Sequence, residues 1–292
     1  MIFKLVKTIF VRALSGLVYV LLIFLCTTHF LSDILYIYFD LKINSSYLLY
    51  ALLTLFLLGC SFETIKLLKY SNFIYKLLTF VLIGIIYYTF SQNFFNSSFS
   101  LRLLYWRYIL ILVLFCLSII TLFYFSDELY TDSAKLIFTT AYLSIPFGLS
   151  LAIPMSINPL TPEIFYVFLL LWISDSFAYL IGSKFGKRKL APKISPNKSV
   201  EGLIGGIVST IIAGLVIEYL EPGLRGNWIV ISIIIAIFAP IGDLAESKLK
   251  RKFKVKDSGN LIPGHGGVLD RLDSFIFCIP AIFAYYLINT IV

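Results

Sequence analysis

Apolar positions in this chain run together in long blocks. Nine such blocks recur, at about 13–31, 47–61, 73–90, 107–125, 136–154, 163–182, 202–220, 227–246 and 269–290. Most approach the ~20 residues with which a helix crosses the hydrocarbon core of a bilayer. The pattern predicts an all-α fold, a polytopic integral membrane helical bundle of about nine transmembrane helices. The second block is short, and is expected to extend back through the aromatic run 35–39. The first follows basic residues but is long and lacks a small-residue cleavage site, so it reads as a retained span rather than a cleaved signal peptide.

Composition agrees. The 292 residues are 59% hydrophobic and 14% charged, with a mean hydropathy of +0.92, which excludes an ordinary soluble domain of this length. Cys26, Cys60, Cys116 and Cys278 all fall in apolar blocks without paired spacing, and read as free thiols. The formal charge of +8 resides in short loops between spans, which speaks against nucleic acid and for anionic lipid or nucleotide. With a cytoplasmic N-terminus and nine spans, the cytoplasmic side receives 20 Lys and Arg and the other side 4 (Lys42, Arg102, Arg107 and Arg225). The weak point is the 126–135 loop, which carries Asp127, Glu128 and Asp132 on the inside. The halves differ: residues 1–160 form Leu/Ile/Phe/Tyr-rich spans with little polar punctuation, a scaffold with dimer or lipid contacts. Residues 161–292 carry acids within spans and cations in loops, so chemistry is expected there. No internal repeat is evident.

Five acids sit in or at the ends of spans: Asp175, Asp243, Glu246, Asp270 and Asp273. An ionised carboxylate at the bilayer centre costs about 2.5–3.5 kcal/mol on insertion scales, so each needs a partner. A hard divalent cation takes oxygen ligands and neutralises several at once. Asp243, Asp270 and Asp273 are the leading metal ligands, with Asp175 and Glu246 balanced between that role and pairing with nearby Lys and Arg. The loop 183–206 clusters Lys184, Lys187, Arg188, Lys189, Lys193 and Lys198. In it, Ser195 and Pro196 are expected to turn, and Ser199 to cap the next helix, with Glu201 after it. Gly202, Gly205 and Gly206 then open that helix, for an anion at its N-terminus or for close helix packing. The stretch 247–273 joins six cations (Lys248, Lys250, Arg251, Lys252, Lys254 and Lys256) to a glycine-rich break, Pro263–Gly267, and then to Asp270, Arg271 and Asp273. Acids three apart on a helix share a face. His265 reads as a loop-ordering residue or a phosphate contact. A phosphate attacking another phosphate needs charge neutralisation and in-line positioning more than a protein base, and acids, cations and glycines supply those. No Walker loop or Gly-x-Ser-x-Gly elbow is present.

These residues resemble the phosphatidate cytidylyltransferases, or CDP-diacylglycerol synthases. The family's 27-residue C-terminal pattern is met at Ser247, Lys250, Arg251, Lys256, Asp257, Gly259, Ile262, Pro263, His265, Gly266, Gly267, Asp270, Arg271 and Asp273. Upstream, Asp175–Tyr179, Gly182, Phe185–Lys187 and Ser195–Ser199 also match, with Val200 where the family commonly has Trp. The resemblance covers about residues 165–290. It implies attack by the phosphate of phosphatidate on the α-phosphorus of CTP, giving CDP-diacylglycerol and pyrophosphate, with magnesium and a second cation such as potassium. Asp243, Asp270 and Asp273 would hold metal, and Lys250 and Arg271 would join them in catalysis. Ser195, Asn197, Lys198, Ser199, Ser247, Arg251, Lys256, Asp257, His265, Gly266 and Gly267 would meet the substrates. The expected setting is a bacterial inner membrane with the site facing the cytoplasm, and a homodimer is an open expectation. Competing readings are a cytidylyltransferase for another lipid phosphate, a lipid kinase, and a cation-coupled transporter. The transporter would need midplane charges and repeat symmetry.

Overall fold

The computed structural model describes residues 2–95, 105–124, 129, 131–153 and 163–291. Arg102, Asp127 and Glu128 lie outside them, and the side chains of Lys4, Lys7 and Arg12 are likewise not described. Ten helices make up nearly all of the fold among these residues: α1 (Ile2–Thr27), α2 (Phe30–Phe39), α3 (Ser45–Leu67), α4 (Phe73–Phe95), α5 (Tyr105–Tyr124), α6 (Asp132–Ser150), α7 (Glu163–Phe185), α8 (Val200–Leu220), α9 (Trp228–Lys252) and α10 (Leu269–Ile291). The polar residue before an apolar run sets where several of them start. Asn44, Thr131, Ser199 and Asn227 each turn a side-chain oxygen back onto a free N–H of the first turn, of Ser46, Ala134, Gly202 and Val230 in turn.

Seven described helices are long and apolar enough to cross a membrane, eight if α1 and α2 count as one broken span. Among the described residues this does not confirm the expected count of nine. The aromatic run 35–39 does not lengthen the second span; it forms the separate helix α2, bent 75° from α1, with Tyr36, Ile37, Tyr38 and Phe39 exposed. The span expected at 136–154 is α6, which falls outside the apolar set. It packs against α3, α4, α5 and α10, so most of its surface meets protein, with Ile137 left exposed. Buried Thr139 and Ser144 are satisfied within the protein, by Tyr70 and by the Thr140 carbonyl, and an apolar surface is not required of it. Lipid-facing positions are different: Leu77 and Ile85 on α4, Leu110 and Val113 on α5, and Ile204 and Val208 on α8 are all exposed.

Aromatic packing joins the halves. Phe56 of α3 packs edge-on against Phe168 of α7, and Phe147 of α6 packs against Phe275 of α10, with centroids 6.5 and 5.8 Å apart; Phe168 in turn stacks on Phe275 at 4.9 Å. The α7–α8 pair is the closest. A Cβ on Gly202 would lie 2.6 Å from the Ala178 carbonyl oxygen, and one on Gly206 2.9 Å from that of Ser174. Those glycines serve helix approach. The loop between α7 and α8 is an antiparallel hairpin, β1 (Lys189–Ala191) with β2 (Ser195–Ser199). The turn falls at residues 192–194, so Ser195 and Pro196 belong to a strand and not to the turn expected of them.

Candidate active site

One end of the bundle gathers the C-termini of α3, α7 and α9 and the N-termini of α8 and α10. Between α7, α8, α9 and α10 lies a cavity of about 580 Å³. Five carboxylates line it (Asp175, Asp243, Asp257, Asp270 and Asp273) with three cations, Lys198, Lys250 and Arg271. The lining therefore has two negative charges in excess. Asn197 and Ser199 complete its hairpin side, and Pro240 sits a turn before Asp243. Pro240 has no N–H for the α9 ladder, so one backbone bond is missing at the cavity wall although the helix runs on through it.

The acids are held in different ways. Asp243 is ion-paired with Lys198 from β2, and it accepts a bond from Ser247 Oγ one turn on, at 3.3 Å. Asp270 opens α10 and is the most heavily bound. It accepts from Lys250 Nζ at 2.6 Å, from the Ser258 amide at 3.0 Å and from the Gly267 amide at 2.8 Å. Lys250 also pairs with Glu246 one turn back on α9. Glu246 is fully buried and its Oε1 has no hydrogen-bond partner. Asp273 is nearly buried a turn beyond Asp270. Asp175 opens into the cavity from α7.

Asp243, Asp270 and Asp273, the acids expected to hold metal, all line this cavity. The three share a cavity, yet among the described residues no group of three or more acidic, His or Cys side chains is drawn close enough to hold an ion. Lysine ammonium groups pair with two of them, Lys198 with Asp243 and Lys250 with Asp270. The donor chemistry still fits a hard divalent cation: oxygens only, one end of α10 and α9, and an excess of two negative charges.

Other expectations divide. Ser199 caps α8 through the Gly202 amide at 3.1 Å. Glu201 accepts from the amides of Lys187 and Arg188, tying the hairpin's entry to α8. His265 orders its loop: Ser15 of α1 meets its Nδ1 at 2.8 Å, and Arg271 donates from Nε and Nη2 to its carbonyl. Gly266 takes φ +86° there, and the nearest atom to a Cβ on it would be an Asp270 carboxylate oxygen at 2.7 Å. Arg251 and Lys256 do not line the cavity. Arg251 instead braces the hairpin against the next loop, through the carbonyls of Ile194 and Val255, and Lys256 is exposed. Ser195 also lies outside the lining.

Two anchors escaped the sequence reading, both from the N-terminal half. Glu63 of α3 is 1% exposed. Its Oε2 accepts from Ser258 Oγ at 3.0 Å and from the Leu269 amide, the first of α10, at 2.9 Å. It thus holds both ends of the loop that delivers Gly267 and Asp270. Ser15 holds that loop's middle, at Pro263 and His265. The available signal was an acid lying one turn before the lysines that end the second span.

Comparison with known proteins follows this geometry. The chain matches the family described as "Cytidylyltransferase family" over residues 8–289. It is 49% identical over 119 residues to a protein named phosphatidate cytidylyltransferase from Staphylococcus aureus (strain COL), covering 40% of this chain and 46% of that one. It is 42% identical over 153 residues to the protein of that name from Staphylococcus haemolyticus, covering 52% and 58%. For the one from Bacillus subtilis the figures are 47% over 127 residues, covering 43% and 46%. The chain spans about half the length of these curated relatives. The family match, by contrast, takes in the α1 and α3 anchors as well as the cavity, and on that extent the chain belongs to the cytidylyltransferase family.

Proposed function

We propose that this protein transfers a cytidylyl group from CTP to phosphatidate. An oxygen of the lipid phosphate attacks the α-phosphorus of CTP, the bond from that phosphorus to the β-phosphate oxygen breaks, and pyrophosphate leaves. CDP-diacylglycerol is the lipid product. The observation that carries this reading is one cavity in which carboxylates and cations alternate at the end of a membrane bundle. Anionic reactants need neutralisation and alignment there, and the nucleophile needs no protein base.

The chain's own groups divide the work. Lys198 is held ready by Asp243, and buried Lys250 by Glu246 and Asp270 together. Arg271 is fixed by two bonds to the His265 carbonyl, so its fork is set in place before substrate arrives. Asp270 fixes the amides of Ser258 and Gly267, which keeps the loop closed over the cavity. Asp243, Asp270 and Asp273 would hold magnesium, and Asp175 and Glu246 would complete the charge balance. When bound, a divalent cation supplies charge neutralisation on the phosphates. The cation-rich end faces the cytoplasm, where CTP is, in a bacterial inner membrane. Residues 161–292 act as the catalytic part and residues 1–160 as the scaffold.

Purified protein given CTP and phosphatidate should release pyrophosphate, and ATP or GTP should not replace CTP. Replacing phosphatidate by another lipid phosphate tests the acceptor. Asp270→Asn should abolish turnover at saturating magnesium; undiminished CDP-diacylglycerol synthesis by that variant would sink the metal role.

A further inference from the structure

A second cavity, of about 410 Å³, lies between the end of α3 and the start of α4. It is separate from the active-site cavity and shares no lining residue with it. Its deep wall is apolar, with Phe62 and Phe80 each one helical turn from Lys66 and Lys76 and with Phe73 and Leu77 flanking. Its mouth carries Lys66, Lys69 and Lys76, and no acid lines it. Among the described residues none of these lysines has an ion-pair partner. The contrast with Lys135 nearby is direct: Lys135 is paired with Asp132 and donates to the Lys69 carbonyl.

From Phe62 to the end of α3 at Leu67 the helix rises ~8 Å, with Lys69 in the turn beyond it, a span on the order of that from a lipid phosphate to the first acyl carbons. Phe62, Phe73 and Leu77 are 54%, 72% and 54% exposed, so the apolar wall is open to lipid. Lysine stems reach along such a wall while the ammonium groups stay at the headgroup level. From this charge complementarity we infer that the α3–α4 groove is a binding site for one anionic glycerophospholipid, its phosphate among Lys66, Lys69 and Lys76 and one acyl chain along Phe62, Leu77 and Phe80. The groove borders the helix that carries Glu63. The inference does not depend on the proposed reaction, because its readout is binding.

The test uses the full chain in detergent, presented with phosphatidylglycerol, with phosphatidylcholine of the same acyl chains, or with glycerol 3-phosphate alone. Bound lipid is counted by native mass spectrometry. Wild-type protein should retain phosphatidylglycerol, with neither phosphatidylcholine nor glycerol 3-phosphate replacing it. An interfacial lysine contributes roughly fivefold to the binding of an anionic lipid, so K66Q/K69Q/K76Q should weaken retention on the order of a hundredfold. Leu77→Trp, which fills the groove and leaves the charges, should reduce retention as well and so guards against a triple variant that fails to insert. Lys42→Gln, at the other end of α3, should change nothing. Equal retention of both lipids, capture of glycerol 3-phosphate without tails, or wild-type retention by both groove variants would overturn the assignment.

Discussion

Glu63 offers the sharpest test of how the first half of the chain serves the second. Its carboxylate replaces water for the Ser258 hydroxyl and for the first amide of α10. Bonds to a charged acceptor contribute about 1.5–3 kcal/mol each, so Glu63→Ala should cost about 3–6 kcal/mol of local stability. Glu63→Gln keeps one acceptor oxygen, and its amide can occupy the Oε1 position, which has no partner now; it should cost less than half as much. Gly259 sharpens this into a double-mutant cycle. A Cβ there would lie 2.7 Å from Glu63 Cδ and 3.0 Å from its Cγ, with Oε1 closer still, and all three nearest atoms belong to Glu63. Gly259→Ala should therefore be damaging in wild type and nearly neutral beside Glu63→Ala, a coupling on the order of 1–3 kcal/mol for residues in contact. Thermal unfolding in detergent and pyrophosphate release report the cycle together. Additive effects of the two changes, or Glu63→Ala with wild-type stability and turnover, would show that the carboxylate does not hold this loop.

Ser15→Ala removes the α1 tether to Pro263 and His265 and should lower turnover several-fold with little loss of unfolding temperature, since the two bonds, neither fully buried, contribute about 1 kcal/mol each; equal loss of both would mean α1 is simply structural. Lys250→Met leaves Glu246 buried without its counter-ion and should destabilise by about 3–5 kcal/mol, so Lys250→Met with Glu246→Leu should recover folding, read by unfolding temperature, without recovering turnover. Chelation by EDTA should stop pyrophosphate release reversibly, with magnesium restoring it; full activity in EDTA would remove the metal from the reaction.

Much of the fold was legible because bilayer solvation is a blunt constraint. A lipid-facing helix must be apolar for about 20 residues, and α3, α4, α5 and α7 to α10 all announce themselves that way. The same logic misreads elements that do not face lipid. α6 hides among other helices and tolerates Thr and Ser. α2 reads as the extension of a span, although its connection to α1 bends by 75°. The site was legible where types cluster in sequence, as with Lys250, Asp270, Arg271 and the Ser199 cap. It was not legible where function depends on which partner wins in space. Asp243 meets Lys198 across 45 residues, and Glu63 meets Leu269 across 206; no local spacing encodes either. Arg251 is another such case: it sits in a dense motif, and two of its five N–H groups go to backbone carbonyls of the hairpin and the next loop.

The ion pairs at the cavity also predict effects of opposite sign from one substitution. The Lys198–Asp243 pair is partly exposed, at 27% and 31% of the two side chains, so the ammonium can leave without stranding a buried charge. Lys198 would then play two roles: competitor for Asp243 before substrate arrives, and partner for phosphate afterwards. Lys198→Met removes both. Without the competitor, magnesium should reach half-saturation at a lower concentration, because Asp243 no longer has to surrender a counter-ion. Without the phosphate partner, the KM for CTP should rise. A partly exposed pair is worth up to about 1 kcal/mol, so each shift should be on the order of fivefold. Asp243→Asn should raise the magnesium requirement instead, since the ligand itself is weakened. Metal titrations monitored by pyrophosphate release, run at fixed CTP and then reversed, separate the two constants. If Lys198→Met raises both constants together, the lysine is not competing for the carboxylate, and the pair is a fixed strut of the cavity wall.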